Sequence, residues 1–113
     1  MFYNCYKLES LEDVMFDFGE CASLSSAFAY CYALPLTYVK KVLDACDNTL
    51  VNIDSLCYGK KNVNYTTSEY TILPNYCFAK CKGVTSASAA FMGSSISSIT
   101  TQILTDNSGN IAF

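Results

Sequence analysis

The chain contains no histidine, arginine or tryptophan, and only two prolines and five glycines in 113 residues. Without histidine, a thiol or hydroxyl nucleophile lacks its usual general base, which excludes ordinary thiol hydrolase chemistry. Every one of the seven basic residues is lysine, and with a net charge of -3 there is no electrostatic footprint for a phosphate backbone, so nucleic acid is not an expected partner. The few glycines form no phosphate cradle. Long apolar runs are missing too. The least charged stretch, from Val84 to Leu104, is diluted by Ser, Thr and Gln and falls short of the roughly 18 to 20 apolar residues needed to cross a bilayer. The polar, acidic text after Met1 does not read as an export signal. An Asn-x-Thr sequon at Asn64, Tyr65 and Thr66 is short enough to arise by chance.

What the chain does have is apolar bulk. Hydrophobic residues make up 51% and charged residues 15%, the balance of one globular domain with one modest core. Acidic residues gather at Glu9, Glu12, Asp13, Asp17 and Glu20, a run that reads as a solvated face or a docking stripe and not as an acid-base pair. Nine tyrosines and seven phenylalanines exceed what a small core absorbs. Tyr3, Tyr6, Tyr30, Tyr32 and Tyr38 cannot all point inward, and surface aromatics are the usual anchors of an interface.

Apolar spacing predicts a mainly α fold of three helices. Leu11, Val14, Met15, Phe18, Cys21, Leu24, Phe28 and Cys31 recur at steps of three and four, indicating an amphipathic helix over about 11–33, with Ser10 as N-cap and Pro35 as its far boundary. Val39, Val42, Leu43, Cys46, Leu50, Ile53 and Cys57 give a second helix over about 37–58, with Gly59 just past its end and Lys60 and Lys61 following. Residues 60–83 read as a loop-rich segment. A third helix is expected over about 85–105, on Met92, Ile96, Ile99 and Ile103, inside a C-terminal unit 84–113. The hairpin 10–59, the loop-rich segment and the C-terminal unit form a single domain, with no internal repeat expected beyond the paired cysteines.

Seven cysteines are an odd count, so at least one thiol is free or paired with another chain. Cys21 and Cys31 are ten residues apart, and Cys46 and Cys57 eleven. On helices those steps place each pair within about 80° and about 20° in projection, at similar heights of about 15 and about 16.5 Å. In an antiparallel hairpin Cys31 can then face Cys46 while Cys21 faces Cys57, two rungs closed together. Each cross-link would be worth roughly 3 kcal/mol. The alternative is that all four are reduced cysteines packing as small hydrophobes on buried stripes. Cys77 and Cys81 are a possible third pair, or two legs of a zinc site for which other thiols would have to complete the four ligands.

The spacing Cys21-x9-Cys31-x14-Cys46-x10-Cys57 resembles the twin Cys-x9-Cys, or coiled-coil-helix-coiled-coil-helix, proteins of the mitochondrial intermembrane space, in the variant found in subunit VIb of cytochrome c oxidase. The resemblance implies a helical hairpin with Cys21 bonded to Cys57 and Cys31 to Cys46, oxidised on import by a disulfide relay that would read Phe18 or Phe28. It also implies an accessory subunit or assembly factor of a mitochondrial inner-membrane complex, with protein subunits as partners; the residues themselves lead to the expectation of a non-enzymatic chain with no cofactor, metal or catalytic residue. The alternative expectation is a cytosolic or viral helical protein-interaction domain whose cysteines stay reduced.

Overall fold

The computed structural model describes residues 2–12, 21–46, 49–97 and 103. Among them the backbone is organised by stacking rather than by helices. Residues 2–8, 23–34, 52–61 and 86–95 form four successive rungs, joined by parallel bridges between Ser23 and Asn52 and between Asn52 and Ser86. Each rung donates amides to carbonyls of the next. Phe2 and Asn4 donate to Ala27 and Ala29; Leu24, Ser26, Phe28 and Tyr30 donate to Asn52, Asp54, Leu56 and Tyr58; Ile53, Ser55, Cys57 and Gly59 donate to Ser86, Ser88, Ala90 and Met92, all at 2.7–3.0 Å. The chain therefore advances one rung per coil, the arrangement of a short solenoid.

The amides between these donors bond within their own rung. Ala27 donates to Leu24, Ala29 to Ser26 and Cys31 to Phe28, and the third rung repeats the scheme with Leu56 to Ile53, Tyr58 to Ser55 and Lys60 to Cys57. Such a run of tight turns needs left-handed backbone at fixed positions, and the chain supplies it at Asn4, Tyr30, Gly59 and Gly93, and again at Ser26, Ser55 and Ala89. For residues other than glycine that geometry costs about 1–2 kcal/mol, offset at Tyr30 and Ser55 by cross-rung hydrogen bonds on both sides.

Two helices occur among the described residues. In the connection from the second rung to the third, α1 (Leu36–Asp44) starts at Pro35 and buries Leu36, Val39, Val42 and Leu43. Lys41 ties it back across the coil, donating to the carbonyls of Leu11 at 2.8 Å and Glu12 at 3.0 Å. A single turn, α2 (Ser68–Thr71), lies in the connection to the fourth rung and buries no side chain. The core runs up the inside of the coil through Leu24, Phe28, Leu34, Leu50, Ile53, Leu56, Leu73 and Phe78.

The expected helical hairpin with a third helix is thus corrected. Of the helix expected over 11–33, residues 13–20 lie outside the described residues and 23–33 belong to the second rung. Of that expected over 37–58, only α1 is helical, and the stretch from Asn52 belongs to the third rung. The third expected helix, 85–105, holds the fourth rung in its first half; residues 98–102 and 104–105 lie outside the described residues. The physical reason is that tight turns three residues long, stacked end to end, put Leu24, Phe28, Cys31 and Leu34 on one side at the same steps of three and four that an amphipathic helix would use. Every second amide, which a helix would spend within its own segment, leaves for the neighbouring rung.

The expectation of no internal repeat is corrected as well. Phe2-x-x-Cys5-x-x-Leu8, Phe28-x-x-Cys31-x-x-Leu34 and Phe78-x-x-Cys81-x-x-Val84 are copies of one motif with the same internal turns. The third and fourth rungs carry altered copies, Cys57-x-x-Lys60 and Phe91-x-x-Ser94. The period varies, since the equivalent residues Asn4, Tyr30, Gly59 and Gly93 are 26, 29 and 34 positions apart.

Candidate interaction surface and buried thiols

Stacking brings side chains of successive rungs into contact, and two groups of them carry the chain's distinctive chemistry. The first is aromatic and lies at the surface, with Tyr3 exposed and Tyr30 and Tyr58 half-buried. Tyr3 meets Tyr30 edge to face at 5.9 Å, and Tyr30 meets Tyr58 in the same way at 5.9 Å, so a tyrosine stripe crosses three rungs. Tyr3 is 60% exposed and Tyr6 beside it 50%. The Tyr30 hydroxyl is pushed up from its ordinary range by desolvation first and then by Tyr58, Tyr3 and Tyr32. Gly59 makes the stripe possible, because a Cβ there would overlap the Tyr30 ring, 2.8 Å from Cδ1. Across the inside of the coil run further aromatic contacts, with half-buried Phe2 stacked on buried Phe28 at 5.6 Å and buried Phe78 against half-buried Phe91 at 6.0 Å.

The second group is sulfur. All seven cysteines are free thiols in this structure. Cys31, Cys57, Cys77 and Cys81 are wholly buried, Cys46 nearly so, Cys21 half-buried and Cys5 exposed. The Cys31 thiol donates to the carbonyl of Phe2 at 2.9 Å, and that of Cys46 to the carbonyl of Val42 at 3.5 Å. Burial pushes the Cys57 and Cys81 thiols up to about 12, and Cys77 further in the same direction. Cys57 feels Lys60 and then Cys31, Cys77 feels Cys57 and then Cys81, and Cys81 feels Cys46. Cys31 sits by Cys5 and Cys57, and Cys46 by Cys81, while Cys21 lies on the approach to the second rung with its thiol turned to the Ser23 carbonyl at 3.3 Å. Thiols held so far above neutral pH are inert packing groups. Among the described residues no three His, Cys, Asp or Glu side chains gather as a metal site would require, around Cys77 and Cys81 or elsewhere.

One charged residue stands among the thiols. Lys60 occupies the position of Cys5 and Cys31, is buried, and donates from Nζ to the carbonyl of Leu34 at 2.6 Å beneath the ring of Tyr70, 5.7 Å from its centroid. Desolvation lowers its pKa, opposed by the Cys57 and Cys31 thiols. Its surroundings are a carbonyl, an aromatic face and two thiols, a solution for a buried ammonium and not a catalytic constellation.

Carboxylates serve as struts. Asp54 in the third rung accepts from the Ser86 hydroxyl at 2.6 Å and the Ser88 amide at 2.7 Å, fixing the fourth rung. Of the acidic run, Asp13, Asp17 and Glu20 lie outside the described residues, and Lys41 reaches the backbone carbonyl of Glu12. The sequon residue Asn64 sits in an exposed turn.

Comparison with known proteins finds no match: no family model, no curated protein and no solved structure resembles this chain. Among the described residues no helix is long and apolar enough to cross a membrane.

The motif Phe-x-x-Cys-x-x-Leu/Val was the signal in the sequence for this arrangement. It accounts for Cys5, Cys31 and Cys81 together, which separation between cysteines alone does not.

Proposed function

We propose that this chain is a non-enzymatic protein-interaction scaffold whose cysteines stay reduced and whose docking surface is the tyrosine stripe. The observation that supports this most is the edge-to-face row of Tyr3, Tyr30 and Tyr58 across three rungs, with Tyr3 exposed and the other two half-buried at the surface. Tyrosine offers a large, stiff and amphipathic contact at low entropic cost, and is enriched where binding energy concentrates. A core could have enclosed these rings, yet the fold leaves part of each at the surface. The buried thiols and the buried, tethered Lys60 give this surface no chemistry of its own.

The test is a photo-crosslinking residue placed at Tyr3 or Tyr58, with Val63, which is 88% exposed and off the stripe, as the control site. A discrete protein partner is expected from the stripe positions and not from Val63. Its affinity should fall at least tenfold when Tyr3, Tyr30 and Tyr58 are all changed to Ser. Binding that survives the triple change, or crosslinks equally from Val63, would overturn the reading.

A further inference from the structure

Cys5 and Cys31 share one register on neighbouring rungs. They stand 26 positions apart, as do Phe2 and Phe28, and the two rungs are held together by Phe2 donating to Ala27 and Asn4 donating to Ala29, both at 2.8 Å. Parallel neighbours bonded in this way run about 4.8 Å apart. The Cα atoms of a disulfide span about 4.4–6.8 Å, so the backbone already holds this pair at bridging distance.

The side chains converge as well. The Phe2 carbonyl accepts the Cys31 thiol at 2.9 Å and the Cys5 amide at 3.0 Å, so the Cys31 sulfur lies inside the turn that carries Cys5. Among the described residues the Cys5 thiol is held by nothing tighter than a 3.9 Å contact to the Tyr3 carbonyl. The third residue of this register is Lys60, whose buried ammonium donates to the Leu34 carbonyl. Burial pushes the Cys31 thiol up, while a hydrogen bond from the backbone of Cys5 and, less strongly, the Lys60 ammonium pull it down. A thiolate forming at Cys31 therefore has an amide on one side and a cation on the other.

We propose that Cys5 and Cys31 are a peroxide-oxidisable pair that closes into a disulfide and staples the first rung to the second. The scaffold with reduced thiols is the resting form, and the staple stands whatever binds the tyrosine row. Hydrogen peroxide is the oxidant. The Cys5 thiolate attacks one peroxide oxygen, the O–O bond breaks and hydroxide leaves, giving a sulfenic acid at Cys5. The Cys31 sulfur, giving up its proton, then attacks the Cys5 sulfur, and the S–O bond breaks as a second hydroxide leaves. Two thiols and one peroxide become one disulfide and two waters.

The test is mild peroxide treatment of the reduced full chain, followed by alkylation in urea and mapping of the peptides by mass. The folded chain is expected to lose two hydrogens and to yield one cross-linked pair, Cys5 with Cys31, reversed by a phosphine. The amides of Phe2 and Asn4 should exchange more slowly once the pair has closed. Cys5→Ser, which leaves the core untouched, should keep Cys31 as a free thiol under the same treatment, and Cys31→Ser should leave Cys5 as a sulfenic acid that dimedone captures. Peroxide added in urea should show no preference for this pair, because the register that joins it belongs to the fold. The proposal is overturned if the folded chain carries Cys5 on to sulfinic acid with Cys31 untouched, if Cys5 is joined to Cys21 or to a second copy, or if the pair forms equally well in urea.

Discussion

Raising the pH from 7.5 to 9.5 should destabilise this protein by an amount that its thiols set. In the unfolded chain each cysteine titrates near its ordinary value of 9.0, while in the folded protein Cys57 and Cys81 are held up to about 12 and Cys77 higher still. These are acids whose folded pKa is raised, so between the two values the folded state binds more protons than the unfolded one, and stability falls as pH climbs through that window. At pH 9.5 an unfolded thiol is mostly ionised and a buried one is not, which is worth about 1 kcal/mol for each site, or about 2–3 kcal/mol for the three together. Cys31 adds in the same direction. Lys60 opposes them: its folded pKa is lowered, so the unfolded chain binds more protons and stability rises with pH up to the unfolded value of 10.5. The thiol contribution is therefore read as the difference in pH dependence between the protein and a variant without these thiols. The measurement is urea unfolding at constant ionic strength with a phosphine reductant present, at pH 7.5 and pH 9.5. Replacing Cys57, Cys77 and Cys81 by Ala should flatten the dependence even though it lowers stability at every pH. Stability that is level or rises across this interval in the unsubstituted protein would refute the claim that these thiols are sealed from water.

Alkylation by iodoacetamide under native conditions should label Cys5 first and Cys21 more slowly, with the other five reacting only on unfolding; intact mass after timed quenching reads this directly, and rapid labelling of Cys77 or Cys81 would contradict their burial. Asp54→Ala should cost about 1–3 kcal/mol in denaturant titration, because the Ser86 hydroxyl and the Ser88 amide lose a charged acceptor, with Asp54→Asn costing less. Gly59→Ala should be more damaging than Gly93→Ala: both sit at positive φ, but only at Gly59 does the new methyl overlap the Tyr30 ring, so the first should cost about 2 kcal/mol and the second about 1 kcal/mol in thermal unfolding. Phe28→Ala empties the centre of the inner aromatic contacts and should cost about 3–5 kcal/mol by the same measurement.

What the sequence displays openly here is burial and not backbone. Leu24, Phe28, Cys31, Val39, Val42, Leu43, Cys46, Leu50, Ile53 and Cys57 all stand on the stripes that spacing picks out, and all are buried. The start of α1 after Pro35 is also legible, since proline fixes the φ of a helix entry and Val39, Val42 and Leu43 keep helical steps within one short segment. The spare tyrosines are legible in the same sense: Tyr3 and Tyr6 do lie outside. Apolar steps of three and four report which side a residue faces, and a ladder of tight turns has nearly the same angular period as an α-helix. The residues that separate the two are those in left-handed backbone, and in this chain most are not glycine. Ser26, Tyr30, Ser55 and Ala89 carry no local mark of their conformation, which is imposed by cross-rung hydrogen bonds between residues 28 and 33 positions apart.

The same logic explains why spacing suggests cysteine pairs while Cys5 and Cys31 share one register in space. In a hairpin, contact depends on the sum of two positions, because the chain returns antiparallel; 21 and 57 then match 31 and 46. In a coil, contact depends on the difference, because each turn repeats the last in the same direction. Cys5 and Cys31 differ by 26, and Lys60 follows Cys31 by 29, the intervals at which Asn4, Tyr30 and Gly59 recur. Lys60 is the sharpest case. Read as a helix end, it is a surface charge next to a C-terminal dipole; read by difference, it stands in a buried cysteine position and must find an acceptor, which it does at the Leu34 carbonyl. A lysine that stands where the motif carries a thiol, and is nonetheless 3% exposed, shows that register rather than residue type decides what this core buries.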